Sequence, residues 1–161
     1  MIKLIDEVTP LHLTEVEGRI ALICIGDQNL SERVAQKINE LDFHTIVAQN
    51  PSATLSKLED HRCDLVVLDE RYGLGESAQN PILAFMQSLP MGARRKTFLC
   101  LLSAKTPTLD PMAAFRTGAN LIINLRDIEK VGSILNRTLK DHRTFYAVLN
   151  DELARKGSPL I

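Results

Sequence analysis

Asp64-Leu65-Val66-Val67-Leu68-Asp69 sets four consecutive aliphatic residues between two acids, and Glu70, Arg71, Tyr72 and Gly73 follow. A short apolar run without alternation is the pattern of a strand covered on both faces, as in a parallel sheet. Open sheets of that kind keep their ligand sites at the C-terminal ends of the strands. Asp69 therefore stands where chemistry is to be sought, and the rest of the chain decides whether any remains there.

Working outward, strand and helix signals alternate. Upstream, Ile20 to Ile25 is a first buried strand. Asn29-Leu30-Ser31-Glu32 is close to a capping box, and Leu30, Val34, Ile38 and Leu41 recur at helical spacing. His44 to Ala48 is a second strand, and Asn50-Pro51-Ser52 opens a helix carrying Leu55, Leu58 and His61. Downstream comes a loop with Gly73 and Gly75, then Asn80-Pro81, a cap with proline in the first helical position. Ile82, Phe85, Met86 and Leu89 give that helix its inward face. Thr97 to Leu102 is a fourth strand, Asp110-Pro111 starts a helix that Gly118 ends, and Leu121 to Ile123 is a fifth strand. A long final helix begins near Asp127. Five strands alternating with five helices predict an α/β domain with a doubly wound, five-stranded parallel sheet and right-handed crossovers.

At 161 residues the chain reads as a single domain, and its 45% hydrophobic and 24% charged residues are those of an ordinary globular protein. A net charge of −1 argues against nucleic acid as a partner. The longest apolar runs are strand-sized and the N-terminus lacks a signal-peptide pattern, so no membrane association is expected and the cytoplasm is the expected compartment. Cys24, Cys63 and Cys100 are isolated and read as reduced core thiols. His12, His44, His61 and His142 show no ligand spacing.

From about Arg19 to about His142 the chain resembles the receiver domain of two-component response regulators. The segments that carry the resemblance are "CDLVVLD" ending in Asp69, "FLCLLSA" with Ser103 and Ala104, and "AAFRTGANLII" around Gly118. It implies a flavodoxin-like strand order of 2-1-3-4-5 and a place in two-component signalling or a phosphorelay. It also implies that Asp69 holds the phosphoacceptor position and that Ser103 and Ala104 hold the phosphoryl-contact positions.

The sequence departs from that pattern where the family places its charges. Receivers end the first strand with two acids that hold Mg²⁺; here it ends Cys24-Ile25-Gly26, with Asp27 as the only residual acid, one residue late. The last strand, Ile122-Ile123-Asn124-Leu125-Arg126, has no lysine in reach of the family position and no aromatic switch residue. Phosphoryl transfer depends on positioning and charge compensation. The expectation is a degenerate receiver, or pseudo-receiver. It would be a signalling module acting by protein–protein interaction, without catalysis, cofactor or conventional Mg²⁺-dependent phosphorylation.

The alternative is a working single-domain response regulator phosphorylated on Asp69, with Asp27 serving a Mg²⁺ ion. A weaker one is a flavodoxin-like small-molecule binder using the loops after Gly26 and Gly73. A structural role is also open for Asp69 and Ser103, as caps of the following loops. Glu70 and Arg71 read as a solvated pair, and Arg94-Arg95-Lys96 as a solvated helix end.

Two segments lie outside the family pattern. Residues 1–18 form an N-terminal arm with Ile2, Leu4, Ile5, Leu11, Leu13 and Val16 as apolar anchors, before a receiver-like core at 19–142. Residues 143–161 extend the final helix, which from Ile128 to Lys156 would measure roughly 40 Å, about twice what the sheet needs. Its second half carries a stripe of Phe145, Val148, Leu149 and Leu153, a candidate interaction surface. The arm is its expected cover, with a second copy (a homodimer) next and another protein third, a histidine kinase or other signalling protein among the partners the family implies.

Overall fold

The computed structural model describes residues 2–4, 18–75 and 79–157. Its elements, in chain order, are β1 (Ile2–Leu4), β2 (Arg19–Cys24), α1 (Gln28–Asn39), β3 (Phe43–Val47), α2 (Pro51–Asp60), β4 (Leu65–Asp69), α3 (Pro81–Ser88), α4 (Met91–Arg94), β5 (Phe98–Ser103), α5 (Pro111–Thr117), β6 (Leu121–Asn124), a 3₁₀ segment (Leu125–Lys130) and α6 (Val131–Arg155). The strands form one parallel sheet in the order β1-β3-β2-β4-β5-β6. The five strands expected from the apolar runs therefore stand in the expected 2-1-3-4-5 order. The addition is β1, which pairs with the outer edge of β3, Ile2 opposite Thr45 and Leu4 opposite Val47.

Every residue of β4 is buried, because alternate side chains feed two separate cores. Leu22, Val66, Leu99 and Ile122 face one layer with Ile82 and Met86 of α3 and Ala113 and Ala114 of α5. Ala21, Ile23, Val67, Leu102 and Ile123 face the other with Val34 and Ile38 of α1 and Val131, Leu135 and Leu139 of α6. Cys24, Cys63 and Cys100 are free and buried in these layers. Burial pushes all three thiols up, Cys63 to about 12, which makes them packing groups and not nucleophiles.

The proline-started helices begin where expected. Asn50, Asn80 and Asp110, each just ahead of its proline, accept from the backbone N–H groups of Ala53, of Ile82 and Leu83, and of Ala113 in the first turns, and Gly118 closes α5 at φ +74. The start of α1 is a correction. Asp27 is its N-cap, accepting from the Leu30 N–H at 2.8 Å, so the expected capping box at Asn29 lies inside the helix. Aspartate is as strong a cap as asparagine and comes first in the chain.

The basic run at Arg94 is a second correction. The short helix α4 turns the Arg94 guanidinium inward, where it donates to the carbonyls of Thr97 (2.6 Å) and Gly118 (2.6 Å) and to Asn120 Oδ1 (3.0 Å). Its side chain ties α4 to the turn before β6, and burial lowers its pKa from the usual arginine range.

The final helix begins later than Asp127, because Asn124 caps the 3₁₀ segment first, accepting from the Arg126 N–H. Beyond Leu139, α6 runs past the N-terminal ends of the strands. His142 meets Phe98 edge-on at 5.0 Å, and Tyr146 lies 4.6 Å from His142. Of the apolar stripe, Phe145 and Val148 are 64% and 60% exposed, while Leu149 and Leu153 are half-buried. The remaining arm anchors Ile5, Leu11, Leu13 and Val16 lie outside the described residues, as does any contact between them and the stripe. No helix among the described residues is long and apolar enough to cross a membrane.

Candidate functional site

Strand register assembles the site at the C-terminal edge of the sheet. Asp69 pairs with Leu102 across β4 and β5, and Ser103 pairs with Asn124 across β5 and β6. Asp69, Ser103 and Ala104 therefore lie together at the ends of β4 and β5. Asp27 lies at the end of the adjoining β2 loop, but its Oδ1 caps α1.

The Asp69 carboxylate is almost fully buried, and both of its oxygens are engaged. Oδ1 accepts from the Arg71 backbone N–H at 2.9 Å and from Arg71 Nε at 3.1 Å; Oδ2 accepts from Arg71 Nη2 at 2.8 Å. The chain turns so that an aspartate accepts from the N–H two residues on, a local Asx-type turn. That turn carries the arginine side chain back over the carboxylate, where its planar fork fits both oxygens. The hydrogen bond and charge of Asp69 raise the pKa of Arg71 above its usual range. The Arg71 side chain is 57% exposed and covers the carboxylate from the solvent side.

Glu70 is likewise drawn in. Its N–H donates to the Leu102 carbonyl at 3.0 Å, and its Oε1 accepts from the Ala104 N–H at 3.1 Å. Reading Glu70 and Arg71 as a solvated pair is thus corrected: each turns toward a partner that the strand ends supply. Only Asp69-Glu70-Arg71, an acid followed two residues later by a cation at a strand end, signalled this in the sequence.

Ser103 is buried, and its Oγ accepts from the Lys105 (3.2 Å) and Thr106 (3.0 Å) N–H groups, capping its own loop. Asn124, which the sequence left without a role, holds the opposite side. Its Nδ2 donates to the Thr106 carbonyl at 2.9 Å, and its Oδ1 accepts from the Arg126 N–H at 3.0 Å. Asn80 closes the loop after β4 from below. Its Nδ2 donates to the carbonyls of Asp69 (3.3 Å), Glu70 (3.1 Å) and Tyr72 (2.9 Å).

Gly73 makes the turn possible. It sits at φ +70, and a Cβ there would come within 2.7 Å of the Pro51 ring. Gly73→Ala is expected to lower stability by about 2 kcal/mol, from left-handed strain plus this clash. Thermal unfolding checks it, and an unchanged melting temperature would count against the turn as described.

A magnesium ion does not fit these donors. Both Asp69 oxygens carry Arg71 donors, an Asp27 oxygen carries a helix N–H, and Ile25 and Gly26 offer no carboxylate. Among the described residues, no group of three His, Cys, Asp or Glu side chains is placed to hold a metal.

No protein-family model matches the sequence, and no curated protein matches it. Solved structures do. A Francisella response regulator receiver domain superposes with a TM-score of 0.59 at 17% identity, over 76% of this chain and 98% of that one. A chemotaxis response regulator of Vibrio cholerae gives 0.58 at 15% identity, over 75% and 98%. An orphan response regulator of H. pylori gives 0.57 at 15% identity, over 75% and 96%. The fold is that of a response-regulator receiver domain. At these identities the fold is what is shared.

Proposed function

We propose that this chain is a receiver-like signalling module that acts through contacts with other proteins, its site closed by its own charges in place of Mg²⁺-dependent phosphorylation. The observation that carries this reading is the Arg71 fork on Asp69. It puts an internal cation on the carboxylate a metal would need. The Glu70 carboxylate takes the Ala104 N–H that a phosphoryl oxygen would use. The module would perform no catalysis of its own, and its partner would be a kinase or another signalling protein.

The test is a titration with Mg²⁺, followed by acetyl phosphate, while the Asp27 and Asp69 amides are observed. No saturable shift is expected in the low-millimolar range, and Asp69→Asn should leave partner binding largely intact. Saturable Mg²⁺ shifts at both amides, or a phosphoryl group that labels the wild type and vanishes in Asp69→Asn, would establish the phosphoacceptor instead.

Two exposed surfaces support the interaction role. Phe115 of α5 is 83% exposed beside Met112, one helical turn away, and the α6 stripe presents Phe145 and Val148. Self-association is proposed through the α6 stripe. Phe145→Glu with Leu149→Glu should shift the sedimentation coefficient from dimer to monomer with unchanged helical content. A monomer that merely loses stability would assign the stripe to the N-terminal arm, and unchanged mass and stability would leave it for a different protein.

A further inference from the structure

We propose that the cavity beneath the overhang of α6, at the opposite end of the sheet from Asp69, binds a nucleoside polyphosphate. Ligands of open parallel sheets ordinarily sit at the C-terminal strand ends. This cavity exists at the other end because α6 continues past Leu139 and walls off the strand starts. Its volume is about 480 Å³, within the usual range for small-molecule sites.

The lining is strongly one-signed in a chain whose net charge is −1. Arg19, Arg62, Arg95, Lys96 and Arg143 converge on it from β2, from the loops before β4 and β5, and from α6. The single acid in the wall is Asp64. Its Oδ2 accepts from the Ile20 N–H at 2.9 Å, and its Oδ1 lies 3.6 Å from Arg62. Arg19 is fixed over the Phe43 ring at 4.3 Å while donating to the Leu41 carbonyl at 2.8 Å. Among the described residues Arg95, Lys96 and Arg143 make no ion pair. Five cations gathered in a concave site against the one carboxylate of Asp64 attract a compact polyanion, and guanidinium forks suit phosphate oxygens.

The aromatic wall specifies the other half of the ligand. Tyr146 and His142 line the cavity, and Tyr146, whose ring meets His142 at 4.6 Å and Phe145 at 5.2 Å, is partly exposed; aromatic rings of this kind stack on nucleic-acid bases. His142 Nε2 is shut off from solvent and has no hydrogen-bond partner among the described residues. Burial, with Arg94 nearby, lowers the His142 pKa and favours the neutral ring. A bound polyanion would draw that pKa back up. An acidic protein segment would satisfy the cations but not the ring wall.

The experiment titrates ATP into the ¹⁵N-labelled 161-residue chain at low salt. Saturable shifts are expected at the Phe98, His142 and Tyr146 amides, without change at Asp69 or Asn80, together with a raised His142 pKa. Sodium tripolyphosphate should bind about tenfold more weakly, for want of a base to stack. Arg95→Glu with Lys96→Glu, and separately the milder Arg143→Gln, should weaken ATP binding with unchanged circular dichroism. No saturation by ATP, equal affinity for tripolyphosphate, binding unaltered in all the variants, or preference for a poly-glutamate peptide would each overturn the proposal.

Discussion

Asn80→Ala is expected to lower the stability of the fold by about 3 kcal/mol, more than an ordinary lost cap. The side chain is buried and works in two directions. Its Oδ1 accepts from the Ile82 and Leu83 N–H groups at the start of α3, and a cap of that kind contributes about 1 kcal/mol. Its Nδ2 holds the carbonyls of Asp69, Glu70 and Tyr72; in the alanine variant the Asp69 carbonyl keeps the Tyr72 N–H at 2.9 Å, while those of Glu70 and Tyr72 lose this donor. Each unsatisfied buried group costs of the order of 1 kcal/mol, with partial relief as water enters. Asn80→Ser keeps the cap and should recover about a third of the loss. Urea unfolding at constant m-value measures both variants. A loss below about 1 kcal/mol in Asn80→Ala would mean that the loop carbonyls find other donors.

Arg71→Met is expected to cost about 2 kcal/mol. Removing one partner of a fully buried pair costs more, but the Arg71 side chain is more than half exposed, so solvent screening discounts the figure. The penalty comes from Asp69, which is almost fully buried in the intact protein and loses its fork. Asp69→Asn in the Arg71→Met background should restore much of the lost stability, because the uncompensated charge goes with it. A double-mutant cycle reads this directly, with a coupling of about 1 kcal/mol or more expected. Additive losses would dissociate the two side chains and remove the main support for a self-neutralised site.

The layered fold was legible because its signals are local or periodic. The Asp64–Asp69 run reads as a doubly covered strand without any knowledge of its neighbours, and Asn50-Pro51, Asn80-Pro81 and Asp110-Pro111 announce three helices within two residues each. β1 escaped notice because three residues have too little pattern to separate a strand from an apolar anchor. The site was legible in its positions and not in its pairings. Asp69, Ser103 and Ala104 follow from strand ends. The roles of Asn124 beside Ser103 and of Glu70 on Ala104 depend on register and loop closure, which no local pattern encodes. Asn80 shows the same divide within one side chain: its oxygen could be read as a cap, but its amide meets carbonyls brought back by the turn at Gly73.

The proportions of α6 give the molecule a mechanical property. Val131 to Leu139, its buried root, spans roughly 13 Å, and the overhang from Lys140 to Arg155 spans roughly 24 Å. The root hangs from β6 through the 3₁₀ segment that Asn124 caps beside Ser103. For a rotation about the last buried turn, the helix is a lever of unequal arms. A given displacement where it leaves the strand edge becomes nearly twice that displacement at its free tip, in the opposite direction. Geometry alone thus amplifies small motions at one pole of the sheet into larger ones at the other.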